Sequence, residues 1–202
     1  MTFSITARCS DTGDLGIAIS TSVPAVGNRC IYVEVEVGAI ATKSFTNVML
    51  GINGIKLLEL GLSPENAITS LLEEDKNKEQ RQVGAIDSLG QAFAWTGTKC
   101  IDWAGHVVSS DHVVAGNMLV NKDTIVAMSE SFQSTNGELS HRLLTALEAG
   151  QDAGGDKRGR VSAALLIASK QFKNYHNLRV DIHSNPVNEL RRIYNLTKKV
   201  YG

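Results

Sequence analysis

Several things are scarce in this chain, and each scarcity removes a class of protein. Cysteine occurs three times in 202 residues, as Cys9, Cys30 and Cys100, an odd number with no close spacing. That argues against a disulfide framework and against a cysteine-built zinc site, and it suits a reducing cytosol. Charge of one sign is scarce too: the formal net charge is −1, and the pair Lys198-Lys199 is too short to count as a basic block. Nucleic acid and membrane are therefore not expected as partners. No apolar run reaches membrane-spanning length, and the N-terminus lacks a charged-then-apolar signal pattern, so a cytoplasmic location is expected. Aromatic residues make up only 5 %, while Gly, Ala and Val are plentiful. Small residues allow close layering of sheets and helices. At 43 % hydrophobic the chain can fill a sizeable core without staples. It shows no internal repeat, low-complexity tract or linker, so residues 1–202 are read as a single domain.

The pattern of apolar residues orders the elements. Residues 2–8 and Leu15-Gly16-Ile17-Ala18-Ile19-Ser20-Thr21 read as two strands around the turn Ser10-Asp11-Thr12-Gly13-Asp14. Residues 31–37 alternate β-branched with polar side chains, a strand with one wet face, and 39–45 read as a fourth strand. The register then turns helical at Leu50, Ile52, Ile55, Leu57 and Leu58. Ser63-Pro64 opens a second helix, with Ser63 as N-cap and Pro64 at the first helical position. Gln82–Asp87 and Gln91–Thr96 form the cleanest hairpin, and strands follow at 106–108 and 112–119. Helices are predicted over 122–134 and 138–149. A glycine-rich polar loop over 150–160 leads into the near-continuous apolar run 161–168, typical of a strand buried on both faces. A strand at 178–182 and a helix from Pro186 to about Val200 complete the chain.

Helices thus arrive in pairs between blocks of strands, which disfavours parallel βαβ winding. The predicted fold class is α+β: a four-layer α-β-β-α sandwich with two mainly antiparallel sheets between helix layers. That architecture resembles the N-terminal nucleophile (Ntn) hydrolases, in which the catalytic residue is the first of the first strand. The runs Thr2-Phe3-Ser4-Ile5, Gly16-Ile17-Ala18-Ile19, Val37-Gly38-Ala39-Ile40-Ala41-Thr42 and Leu178-Arg179-Val180-Asp181 resemble the domain-of-unknown-function 1028 family. The most distinctive run is Gly155-Asp156-Lys157-Arg158-Gly159-Arg160. The sequence departs from that pattern at Lys43 and Ile182, where Gln and Asp are expected. The resemblance implies an Ntn hydrolase-like fold and supplies no substrate.

Candidate chemistry centres on Thr2. Methionine aminopeptidase removes Met1 before a small side chain, and its removal would put an α-amine and a hydroxyl on one residue, a complete base–nucleophile pair. Threonine is equally an ordinary strand residue. Among related hydrolases a lysine near the threonine lowers its pKa values by like-charge repulsion, a role open to Lys43, which could instead be a solvated strand lysine. Asn47 could donate to an oxyanion or cap the following helix. Arg158 and Arg160 could hold a substrate carboxylate in forked hydrogen bonds, or Asp156 could bind them into an internal network that fixes the loop. His106 and His112 lie near Asp102 and Asp111, but their spacing fits no recognised metal site, so no metal or other cofactor is expected.

Two readings follow. In the first, the chain is an amidohydrolase acting on a small amide, with Thr2, Lys43 and Asn47 catalytic and Asp156, Arg158 and Arg160 binding substrate. In the second, it is a non-catalytic small-molecule-binding or assembly protein of the same fold with Met1 retained. A site confined to the Asp156–Arg160 loop is a third arrangement. An exposed face on the outer helices would permit a homo-oligomer.

Overall fold

Alternation along the first strand sorts the molecule into layers. In β1 (Thr2–Arg8), Phe3, Ile5 and Ala7 enter an apolar cluster with helical residues. Thr2, Ser4 and Thr6 fall on the opposite face, as the two-residue period of a strand requires. The computed structural model describes residues 2–171 and 175–201. Within them β1 lies inside a sheet ordered β10-β9-β2-β1-β8-β7. The partners are β2 (Leu15–Thr21), β7 (Gly105–Val108), β8 (His112–Asn117), β9 (Ser162–Ala168) and β10 (His176–Val180). A second sheet runs β3 (Ile31–Glu34), β4 (Gly38–Ser44), β5 (Arg81–Asp87) and β6 (Ala92–Thr96). Every strand pair in both sheets is antiparallel.

The sheets stack face to face: β1 meets β4 and β5, and β2 meets β3 and β4. Helices α1 (Val48–Glu59) and α2 (Pro64–Glu74) cover the outer face of the smaller sheet. Helices α3 (Asp123–Ser134), α4 (Leu139–Asp152) and α5 (Pro186–Tyr201) cover the outer face of the larger one. The four-layer α-β-β-α sandwich is therefore observed. The layer between the sheets changes character along its length. At one end Leu15, Ile17, Ile19, Ala39, Ala41 and Ile86 pack as an apolar cluster. At the other end the same faces carry Thr2, Thr21, Ser4, Lys43, Gln82 and Asn117, all buried. A buried polar stretch must satisfy itself by hydrogen bonding, and such stretches are stability costs more often than gains.

Several strand boundaries differ from the sequence reading; β8, read over 112–119, stops at Asn117. β3 stops at Glu34 because Val35–Val37 turn, with Glu36 in the left-handed region at φ 62°. β10 begins at His176 and ends at Val180, not at 178 and 182. The cap of α2 is as read: Ser63 Oγ accepts from Asn66 N at 3.3 Å with Pro64 in the first turn. In α1, Gly51 allows the helix to lie directly on the Tyr32 ring of β3, which a Cβ would overlap. Gly51→Ala should thus destabilise the protein by about 1–2 kcal/mol. Overpacking costs about 1–3 kcal/mol and the gain in helix propensity returns only about 1. A urea melt decides the sign, and a stabilised variant would show that α1 can slide off Tyr32.

Candidate functional site

Backbone strain marks one place in the molecule. Among the described residues four non-glycine positions have positive φ, and three of them, Ala25 (57°), Ser44 (69°) and Met118 (52°), line a single cleft. Left-handed backbone costs a non-glycine residue on the order of 1–2 kcal/mol and persists only where surrounding structure enforces it, commonly at functional sites. Ser44 is the last residue of β4 and Met118 the first after β8. Both strands therefore turn away from the sandwich at the level where β1 begins. The cleft has a volume of about 480 Å³, and Thr2, Arg29, Cys30, Phe45 and Arg158 also line it.

Thr2 is the first residue of β1, paired with Thr21 of β2 on one side and Asn117 of β8 on the other. It is 6 % exposed, and its Oγ1 donates to Thr21 Oγ1 at 3.2 Å. The expected removal of Met1 concerns a residue outside those described. Lys43 extends from β4 into the layer between the sheets and is completely buried. Its Nζ donates to Ser4 Oγ at 2.7 Å, two residues beyond Thr2 on the same face of β1. Burial pulls the Lys43 ammonium down to about 8, partly opposed by the Cys30 and Cys100 thiols. The Cys30 thiol is in turn pushed up by burial, while its contact with Thr46 at 3.7 Å and the nearby Lys43 charge pull it down. Lys43 is thus no solvated strand lysine but a cation fixed one step below the Thr2 cleft.

The Asp156–Arg160 loop divides its work. Asp156 is 5 % exposed; its Oδ2 accepts from Ser22 N at 3.0 Å and its Oδ1 from Arg158 N at 2.8 Å. The Arg158 guanidinium lies 3.5 Å from Asp156 Oδ2. Asp156 is therefore an internal anchor that pins the loop beside the end of β2. Arg158 lines the cleft with a side chain 42 % exposed, so it can meet a ligand there. Arg160 is exposed and is not among the residues lining the cleft.

Asn47 is not among the residues that line this cleft. Its Oδ1 accepts from Met49 N at 3.1 Å as the N-cap of α1, and its Nδ2 donates to Asp75 Oδ2 at 2.9 Å. The Arg81 guanidinium, 2.8 Å from Asp75, holds that carboxyl at about 2, well below its usual range. Asn47 lines a separate hollow with Asp75 and Leu71. Oxyanion donors and helix caps draw on the same residue type, and here the orphan N–H groups of α1 claim it. The two histidines also separate: His106 Nδ1 contacts Thr96 Oγ1 and His112 Nε2 contacts Ser129 Oγ, each at 2.8 Å. Among the described residues no cluster of three or more His, Cys, Asp or Glu could hold a metal.

Three features of the site were missed in the sequence. Arg29 and Cys30 line the cleft from the segment before β3, and no local pattern marks them. Gln82 and Asn117 form a buried amide pair beneath it, with Asn117 Nδ2 donating to Gln82 Oε1 at 2.9 Å. Their signal was a polar side chain on the sheet-facing side of an apolar strand, which alternation alone could have flagged.

An α-β-β-α sandwich with a strained, arginine-bearing cleft at the start of its first strand thus defines the class of protein. The model of a family of unknown function, DUF1028, matches residues 2–190, and the chain belongs to that family. It is similar to the crystal structure of protein SPO2555 from Silicibacter pomeroyi, of the same family, at 31 % identity and a TM-score of 0.90. That likeness covers 96 % of this chain and 88 % of the other. A fainter likeness is to Anbu (ancestral beta-subunit) from Yersinia bercovieri, at 9 % identity and a TM-score of 0.41, over 96 % of this chain and 93 % of that one. No curated protein matches. No helix among the described residues is long and apolar enough to cross a membrane.

Proposed function

We propose that the chain is a Thr2-dependent amidohydrolase acting on a small amide that carries a carboxylate. The observation that carries this reading is the position of Thr2: first residue of β1, on the wall of a cleft with three strained backbone positions. Once Met1 is removed, Thr2 Oγ attacks the amide carbonyl carbon and its proton passes to the Thr2 α-amine. The C–N bond then breaks, and the departing amine takes that proton. Water, giving a proton to the α-amine, attacks the resulting ester, releases the acid and restores the hydroxyl. The Lys43 cation one step below supports negative charge on the carbonyl oxygen through its field. Arg158 and Arg29 at the cleft wall suit a substrate carboxylate, and exposed Phe45 and Val23 suit an apolar portion. The unpaired Cys9, Cys30 and Cys100 fit a protein kept in a reducing cytosol.

The test begins with the intact mass of protein expressed without a tag, followed by a screen of carboxylate-bearing amides. Loss of one methionine and release of amine are expected. On the best substrate Arg158→Ala should raise KM by about tenfold or more with kcat nearly unchanged. A clamp on a distant carboxylate binds ground and transition states alike. An unchanged KM would remove Arg158 from the binding site.

A further inference from the structure

We propose that Asn117 is the acceptor that orients the Thr2 α-amine, a positioning residue for the base; the inference rests on the Thr2 reading above. The argument is a chain of amide orientations that starts from backbone carbonyls. Gln82 Nε2 lies 2.8 Å from Gly116 O and 3.1 Å from Gly105 O. Carbonyl oxygens only accept, so the NH₂ end of Gln82 must face them and its Oε1 must face the other way. Asn117 Nδ2 donates to that Oε1 at 2.9 Å, which fixes Asn117 in turn, because the flipped amide would set two oxygens against each other. Asn117 Oδ1 is then forced outward. Asn117 is fully buried, and its Oδ1 has no hydrogen-bond partner among the described residues. A buried, rigidly aimed acceptor left open is costly, and this one lies beside Thr2.

The strand ladder places the Thr2 nitrogen on the same side. Arg8 N donates to Asp111 O at 3.0 Å, and hydrogen-bonded pairs alternate along an antiparallel ladder. Counting back from Arg8, Thr2 and Asn117 form a hydrogen-bonded pair, so the Thr2 nitrogen faces β8. Its hydroxyl goes the other way, to Thr21 on β2. A free α-amine at this position has N–H groups for Asn117 O and for Asn117 Oδ1. With both held, the nitrogen lone pair is left for the Thr2 hydroxyl, the orientation that a general base needs.

The experiment measures the Thr2 α-amine pKa, by the pH dependence of N-terminal acetylation followed by mass spectrometry, in parent, Asn117→Thr and Asn117→Leu proteins. Asn117→Thr keeps a hydroxyl that can donate to Gln82, so it guards against misfolding, which a thermal melt checks. Lys43 of β4, Arg29 and Cys30 before β3, and Asp156 and Arg158 of the loop are the charged or titratable groups nearest the cleft, and all stay in place. Loss of a hydrogen bond to the charged amine should lower its pKa by roughly one unit in both variants. An unchanged pKa in folded, Met1-free variants overturns the role of Asn117 and leaves the Thr2 reading intact. A mass showing Met1 retained in the parent overturns both.

Discussion

Lys43→Met should melt several degrees above the parent protein at pH 7, and that advantage should fade as the pH rises. The reason is the cost of holding an ammonium between two sheets. Lys43 is fully buried, its ammonium donates to the neutral Ser4 hydroxyl, and burial lowers its pKa from 10.5 to about 8. A lysine whose folded pKa lies below its unfolded value binds its proton less well in the fold. It therefore subtracts stability, in full below about pH 8 and progressively less up to the unfolded value near 10.5. That shift corresponds to about 3 kcal/mol. Methionine fills much of the same volume without the charge, and the Ser4 hydroxyl left behind costs about 1 kcal/mol. A net gain of about 2 kcal/mol is worth roughly 4–8 °C in a chain of this length. Melts of both proteins across the pH range read it directly. A variant less stable than its parent at pH 7 would mean that the ammonium is better solvated than its surroundings indicate. If the gain appears, retention of the lysine calls for a functional reason, since it is a stability cost at the site of the proposed chemistry. In the proposed mechanism the same proton predicts an alkaline limit on turnover, read in a pH–rate profile: above about pH 8 Lys43 loses its charge, and with it the support for negative charge on the substrate.

The layers of the fold were readable because alternation and helical spacing are local signals. β1 buries Phe3, Ile5 and Ala7 on the helix side, as its pattern implies, and Ser63-Pro64 opens α2 where the cap rules place it. The site was readable only where it coincides with such a signal. Thr2 stood out as a candidate because it begins a strand. The glycine-rich run containing Asp156 and Arg158 stood out by composition, though not which of its charges is internal and which faces the cleft. Lys43 was ambiguous because a strand lysine is normally wet; that it is dry depends on Ser4 arriving from a different sheet. Gln82 and Asn117 meet only after β5 and β8 stack across the sandwich, a contact 35 residues apart in sequence. Asn47 was ambiguous for a different reason. The cap of α1 and an oxyanion donor make the same chemical demand, and only tertiary placement decides between them.

Thr2→Ala should lower turnover by roughly three orders of magnitude or more while leaving the fold within about 1 kcal/mol of its parent. The stability term is small because the substitution removes a hydroxyl that bonds Thr21 and leaves the β1 register with Thr21 and Asn117 intact. The activity term is large because the atom lost is the one that forms the covalent bond. Thr2→Ser keeps hydroxyl and amine and should retain activity within about tenfold; the missing methyl frees χ1 and lets the hydroxyl leave its attacking orientation. A third protein separates the two functions of the residue. With a bulky residue inserted between Met1 and Thr2, aminopeptidase leaves the terminus blocked, and the Thr2 nitrogen becomes an amide that cannot act as a base. This protein should be as inactive as Thr2→Ala even though its hydroxyl is untouched. Acid-quenched reactions of the parent should carry the acyl group as added mass on the peptide that begins at Thr2, and Thr2→Ala should show none. Full turnover by the blocked protein, its extra residues confirmed by mass, would end the terminal-nucleophile mechanism and leave the arginine-bearing cleft as a binding site without this chemistry.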